Sequence, residues 1–357
     1  TKKYDAASKQ LVLTVRQSAA KDDASGYPQV EFFQTYVDVA VDGKVSRLWI
    51  EPKETNVFSI KVQDDPKLVN FDYEGTLIKE LDFKKSTDEL IYQFKNDSDV
   101  LGRRWAMNEL LAIDGPDASR ARAAVVVGLR SEKFAGLRRE GLDSISAPSG
   151  GSFKPEQQIA DALKTFASDA DPGVRSLAMS RLGLMNDVAN APLFISNLSA
   201  ESYRVVDAAA AGLGRLKDPK YYPMLEKLAR TEGWKDNIRV SGLKALALLG
   251  DRRAMPIGIE YSNPKFSTAV RNAAAQILAS SGKGDNSSFQ ILMQNFKDAI
   301  EEGNQWNIFR SLRNLAMFGD VRAEGAFKTA KDKFKSDAQF LEALTRVEAD
   351  FVKALKK

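Results

Sequence analysis

The chain has 357 residues, a net charge of +4, and neither a cysteine nor a histidine. Disulfides, thiolate nucleophiles, Ser-His-Asp triads, Cys-His pairs and ordinary zinc sites are therefore impossible within these residues, which leaves carboxylate or lysine chemistry. Hydrophobic residues make up 43% and charged residues 28%, the balance of an ordinary soluble protein, and no stretch approaches the roughly 18 consecutive apolar residues of a membrane-spanning helix.

The opening Thr1-Lys2-Lys3-Tyr4-Asp5 lacks both an initiator Met and the apolar segment of a secretory signal. A soluble chain that starts partway through a longer protein is the expectation. Residues 9–17 then alternate, with Leu11, Leu13 and Val15 on one side and Val12, Thr14 and Arg16 on the other, which is the period of a strand. A polar loop follows at 18–26. Residues 33–41 alternate again, and Val41-Asp42-Gly43-Lys44 supplies a hairpin turn into 45–50. Residues 56–63 make a further strand, and short apolar runs at 68–71 and 76–81 bring the total to six or seven. Strands at this spacing predict a small antiparallel β-sandwich over residues 1–85.

Ser86-Thr87-Asp88-Glu89 is a capping box, and from Leu90 the apolar spacing becomes helical. No long Gly/Ser linker separates the two regions, so they are expected to pack against each other. Paired helices are predicted at 87–96 with 99–113, 117–130 with 133–146, 155–168 with 172–186, 190–198 with 202–216, 219–230 with 236–249 and 251–261 with 266–281. Further helices are predicted at 287–301, 304–318, 320–334 and 337–355. Asp171-Pro172 and Asp218-Pro219 each place a cap before a proline at the first helical position. Gly250 and Gly319 sit where left-handed helix ends favour glycine. The stretch 147–152 has the most flexible composition among the helices.

The helices share a register. Val174-Arg175 is followed by a small residue three positions after the Arg and an apolar residue seven after it. Leu137-Arg138, Ile238-Arg239 and Val270-Arg271 repeat the pattern, Arg103 repeats it behind a less regular Gly102, and Arg204 repeats it with a slip of one. Recurrence at roughly 35 residues marks a stacked helical array. The small residue allows close helix approach, and the Arg stem can lie along the apolar seam. The pattern resembles HEAT repeats, with helices shorter than the usual ~40–47-residue unit implies. The fold expected is multidomain α and β: a small antiparallel β-sandwich, 1–85, followed by a HEAT-like α-α superhelix, 86–357.

Few residues invite chemistry. Arg103, Arg138, Arg175, Arg204, Arg239 and Arg271 can line an anion-binding groove, although their shared register favours a structural role. Arg103-Arg104-Trp105 is the densest basic–aromatic cluster and the candidate contact for a peptide or partner, against a core role for Trp105. Trp234, Trp306 and Tyr221-Tyr222 are expected in the core. The acid pairs Asp22-Asp23, Asp64-Asp65 and Glu301-Glu302 read as solvated surface. Gly282-Lys283-Gly284 is no phosphate loop and Gly212-Leu213-Gly214 no dinucleotide fingerprint. Asn96, Asn197 and Asn286 match a glycosylation pattern that arises often by chance. Residues 1–83 carry more acids than bases and the remainder a mild basic surplus, so nucleic acid is not the expected partner.

The start of the chain resembles a known family. Tyr4-Asp5-Ala6-Ala7-Ser8-Lys9-Gln10-Leu11-Val12-Leu13-Thr14-Val15-Arg16-Gln17 is similar to the opening of the β-sandwich that follows the catalytic domain of M1-family (gluzincin) zinc aminopeptidases. The likeness continues through 33–41, Leu48-Trp49-Ile50-Glu51, 66–72 and 77–81, and covers about residues 4–112. In bacterial members such a sandwich leads into a C-terminal α-solenoid, as 88–111 does here. The resemblance implies an exopeptidase that removes N-terminal residues from peptides. The family's H-E-x-x-H, its distant Glu and its G-x-M-E-N loop lie upstream of this region, so no catalytic, cofactor or metal residue carries over, and zinc is expected in the catalytic domain. By resemblance the solenoid covers the catalytic cleft and limits peptide access. The partners implied are that domain, within the same polypeptide, and the parent enzyme's peptide substrates. The alternative is a self-contained HEAT-repeat adaptor that holds a protein on its concave face.

Overall fold

A computed structural model describes residues 1–18, 26, 30–148 and 153–356. Most of the loop expected at 18–26, the pair Asp22-Asp23 and residues 149–152 lie outside these. The described chain forms two compact units, Thr1–Ala147 and Pro148–Lys357. Its architecture is a small antiparallel β region followed by a HEAT-like helical solenoid. Among the described residues no helix is long and apolar enough to cross a membrane.

The strands are β1 (Lys2–Asp5), β2 (Gln10–Arg16), β3 (Thr35–Val41), β4 (Lys44–Ile50), β5 (Thr55–Lys61) and β6 (Val69–Phe71). They form two three-stranded antiparallel sheets, ordered β1-β2-β5 and β4-β3-β6. The expected alternation holds: Leu11, Leu13, Val37, Val39, Val41, Ile50 and Val69 are buried together with Phe83. Each such side chain contributes about 1.5–3 kcal/mol on burial. Asp42 and Gly43 both have positive φ, +45° and +84°, as a tight Asp-Gly hairpin turn requires.

Two strand readings need correction. β1 was not expected, because Lys-Lys-Tyr-Asp has no apolar face; it is an edge strand, where charge is favoured. The run 76–81 is not a strand. The buried Asp72 carboxylate accepts from the Thr76 and Leu77 amides at 3.0 Å, from the Thr76 hydroxyl at 2.8 Å, and from Lys79. A side chain that takes these amides removes them from any ladder, and Ile78 is left fully exposed.

The first unit continues with α1 (Thr87–Asn96), α2 (Val100–Leu111), α3 (Ala118–Ser131) and α4 (Ala135–Ile145). The capping box is formed: Ser86 Oγ accepts from the Glu89 amide, and the Glu89 carboxylate accepts from the Ser86 amide at 2.7 Å. A buried polar cluster joins sheet to helices. Asp99 accepts from the Asn70 side chain, the Glu74 amide and the Gly102 amide at 3.0–3.1 Å. The Lys85 ammonium donates to the Val69 carbonyl at 2.6 Å and to Gln93, and Gln93 donates to Asp97 at 3.0 Å. This explains the irregular Gly102. A Cβ there would strike the Asp97 carboxylate and the Asn70 amide.

The second unit pairs α5 (Gln157–Phe166) with α6 (Pro172–Leu184), α7 (Ala191–Ser196) with α8 (Tyr203–Arg215), and α9 (Tyr222–Arg230) with α10 (Asn237–Leu249). It continues with α11 (Met255–Tyr261) and α12 (Thr268–Ser281), α13 (Asn286–Glu302) and α14 (Gln305–Phe318), and α15 (Glu324–Lys333) and α16 (Ala338–Leu355). Three helices begin three or four residues later than the spacing predicts, because a 3-10 turn precedes α9, α11 and α15; such a turn also precedes α7. Asp187, Asp218, Asp251 and Asp320 each cap that turn. Asp218-Pro219 therefore opens a 3-10 turn, whereas Asp171-Pro172 caps α6 directly. Gly250 and Gly319 end α10 and α14 in the left-handed conformation.

Burial pushes Lys85 down to about 8, with the nearby Lys2 adding to the shift. Below pH 8 the ammonium is charged in folded and unfolded chains alike, and its burial cost is fully felt. Between pH 8 and 10.5 the folded chain has released a proton that the unfolded chain keeps, so stability rises with pH. The rise expected from this group is about 3 kcal/mol. Urea titrations across that window, compared with Lys85→Met, check it: the variant should lose this part of the slope.

Candidate binding face

Arg103, Arg138, Arg175 and Arg271 each occupy the fourth residue of a second helix. In the first three, Nη1 donates to the carbonyls six and five residues back. Arg103 reaches Asp97 and Ser98 at 3.0 and 3.1 Å, Arg138 reaches Glu132 and Lys133 at 3.0 Å, and Arg175 reaches Asp169 and Ala170 at 2.6 and 3.0 Å. The residue six back is acidic each time, and its side chain accepts a linker amide: Asp97 from Asp99, Glu132 from Phe134, and Asp169 from Asp171. That acid was a readable signal in the sequence and was not used. Arg239 sits one residue earlier in α10, pairs with Asp236, and lies 5.4 Å from the Tyr261 ring centre. Arg204 departs from the register. It is the second residue of α8, exposed, and makes no ion pair or hydrogen bond among the described residues.

The cluster Arg103-Arg104-Trp105 is split three ways. Arg103 forms a two-pronged bond with Glu132 at 2.7 and 2.8 Å, with side-chain exposures of 15% and 3%. Burial raises the Glu132 pKa, but the Arg103 guanidinium and the Phe134 amide outweigh it and hold the carboxyl below its usual range. Arg104 is half exposed and pairs with Glu140 at 2.8 Å. Trp105 packs on the sheet core, 6.4 Å from Phe83, with the Lys85 ammonium 4.9 Å from its ring centre.

The second helices α6, α8, α10, α12, α14 and α16 stack in sequence. Small residues set the spacing. A Cβ on Gly183 would stand 3.2 Å from the Gly212 Cα, and a Cβ on Gly242 would collide with the backbone of Leu228–Ala229. The glycines of 212–214 thus serve packing. Tyr221 and Tyr222 are buried as expected, but Trp234 and Trp306 are not core residues, being 64% and 78% exposed. Trp234 lies in a 3-10 turn with only Lys235 over its ring. Trp306 opens the outward side of α14, followed at helical spacing by Arg310, Arg313 and Met317. With Lys244, Ala247 and Leu248 of α10 and Gln276 of α12, these residues line a cavity of about 350 Å³. No local pattern announces it, because its members come from three repeats.

A HEAT-repeat family model matches residues 159–240. The fold is HEAT-like. No curated protein sequence matches the chain. Among solved structures, the chain is similar to the complex of CpcE and CpcF of phycocyanin lyase from Nostoc sp. PCC7120, at 14% identity and a TM-score of 0.44, covering 75% of this chain and 98% of that one. It is similar to the karyopherin Kap121p bound to the extreme C-terminus of the protein phosphatase Cdc14p, at 16% identity and a TM-score of 0.43, covering 74% of this chain and 33% of that one. It is also similar to Legionella pneumophila aminopeptidase A in complex with aspartic acid, at 11% identity and a TM-score of 0.42. That match covers 98% of this chain, which spans 48% of the aminopeptidase.

Removing one partner of a buried ion pair costs about 3–5 kcal/mol. Glu132→Ala should lower the stability of the first unit by about that amount, and Glu132→Gln by less. Urea unfolding followed by fluorescence in a Trp234→Phe, Trp306→Phe background reads this unit alone, since the remaining tryptophans are Trp49 and Trp105.

Proposed function

We propose that this chain is a non-catalytic region of an M1-type zinc aminopeptidase, in which the β region acts as a spacer and the helical repeats cover the catalytic cleft and limit peptide access. The observation that carries the reading is the junction. The residues that resemble the family, 4–112, are those tied into one packed body by Asn70, Lys85, Gln93, Asp97 and Asp99. A spacer that fixes the angle of a cover needs such a rigid joint. The side chains present are suited to holding and shaping, and the zinc chemistry belongs to the domain proposed upstream.

The second reading, a HEAT-repeat adaptor that holds a protein partner, is favoured by the unpaired cations on the second-helix face of α14. The coding sequence before Thr1 separates the two. It should specify H-E-x-x-H, and a gene that starts at Thr1 would sink the aminopeptidase reading. The purified chain should bind no stoichiometric zinc and hydrolyse no aminoacyl reporter amide. In the longer protein, deleting the helices should raise turnover of long peptides relative to small reporter amides, measured as the ratio of the two rates.

A further inference from the structure

We infer that the cavity on α10, α12 and α14 is a docking site for an acidic peptide segment carrying an apolar side chain. The charge is the first ground. Lys244, Arg310 and Arg313 line the cavity, and no carboxylate does. Most guanidinium groups of this chain are engaged by their own protein, as with Arg103, Arg104, Arg253 and Arg322. Arg310 and Arg313 have no ion-pair or hydrogen-bond partner among the described residues, and the Lys244 contact with Asp207 is a long 3.9 Å. Cations grouped without counter-charge repel one another and gain most from incoming carboxylates.

The second ground is Asn314. Its residue is 7% exposed and it lines the cavity, and its side-chain amide, open to solvent, has no hydrogen-bond partner among the described residues. A peptide backbone, with a donor and an acceptor at each residue, matches both of its ends. Gln276 of α12, also without a hydrogen-bond partner among the described residues, offers a second amide to the cavity. The third ground is apolar: Trp306, 78% exposed, and Met317, 54% exposed, flank the two arginines, and an aromatic with a thioether makes an adaptable seat for a hydrophobic side chain.

Peptide fits better than nucleic acid. A polyanion needs a cationic track along the face, and here the track is interrupted at the neighbouring repeat by Asp207, 47% exposed. The inference deepens the adaptor reading but stands if the chain is part of a peptidase, and its test leaves the upstream-sequence test untouched. Fluorescence anisotropy of the full chain with a short labelled peptide alternating Glu with Leu and Phe should give saturable binding that weakens with salt. The Arg310→Gln, Arg313→Gln double variant should weaken it about tenfold or more, and Lys244→Gln, on a different helix, should weaken it without touching α14. Replacing Glu by Gln in the peptide should have a similar effect. Absence of binding, equal binding by the Gln peptide or by the double variant, or tighter binding of labelled oligothymidylate would overturn the assignment.

Discussion

A helical repeat has to turn the chain between its two helices, and the turn leaves carbonyls that no helix ladder can satisfy. In at least three repeats one guanidinium, placed a turn inside the second helix, reaches back to two of them, while an acid in the linker takes an amide beside them. The linker is thereby locked to the helix that follows it. Once that turn is rigid, the second helices can stack at glycine contact distances, and their outward sides form a defined face.

How much of this was legible depended on whether a feature repeats or lies local in sequence. The paired helices, the capping box and the β hairpin were all readable, because each rests on spacing within one element. The late starts of α9, α11 and α15 were not, since an Asp that caps a 3-10 turn looks in sequence like an Asp that caps an α-helix. The stretch 76–81 misled because Asp72 competes for its amides from outside the window in which alternation is counted. Trp306 misled in the opposite sense. A tryptophan early in a helix is usually buried, and its exposure becomes visible only when the neighbouring second helices are in place.

The same device that hides most of the basic groups makes the few remaining ones informative. Arg253 lies 4.4 Å from the Tyr222 ring centre, donates to the Pro219 carbonyl at 2.8 Å and pairs with Asp251; Arg322 repeats the arrangement 4.0 Å from Phe289, with Asp320 and Asn286. Both use an Asp-x-Arg step to clamp a first helix against the one before it. Some arginines that bind their own chain carry an acid two, three or six residues upstream, whereas Arg16, Arg47, Arg104 and Arg120 pair with acids farther away in sequence. Arg310 and Arg313 have none at those spacings upstream: the positions before them are filled by Gly, Asn, Trp, Ile, Ser and Leu side chains among others, but by no acid nearer than Glu302. Since Arg104 likewise has no acid at those spacings and is nonetheless paired, the isolation of Arg310 and Arg313 is visible only in the fold, as is the cavity they line.

The missing histidines also shape what such a face can sense. Imidazole is the side chain whose ordinary pKa, about 6.5, lets a site change charge near neutral pH, and this chain has none. A face built from guanidinium, ammonium, amide and aromatic groups is tuned by ionic strength, because exposed charges are screened over about 8–10 Å. Selectivity for an acidic segment must then come from geometry: two arginines one helical turn apart on α14, a side-chain amide next to the second, and an apolar side chain at either end. That arrangement is set by the stacking of α10, α12 and α14.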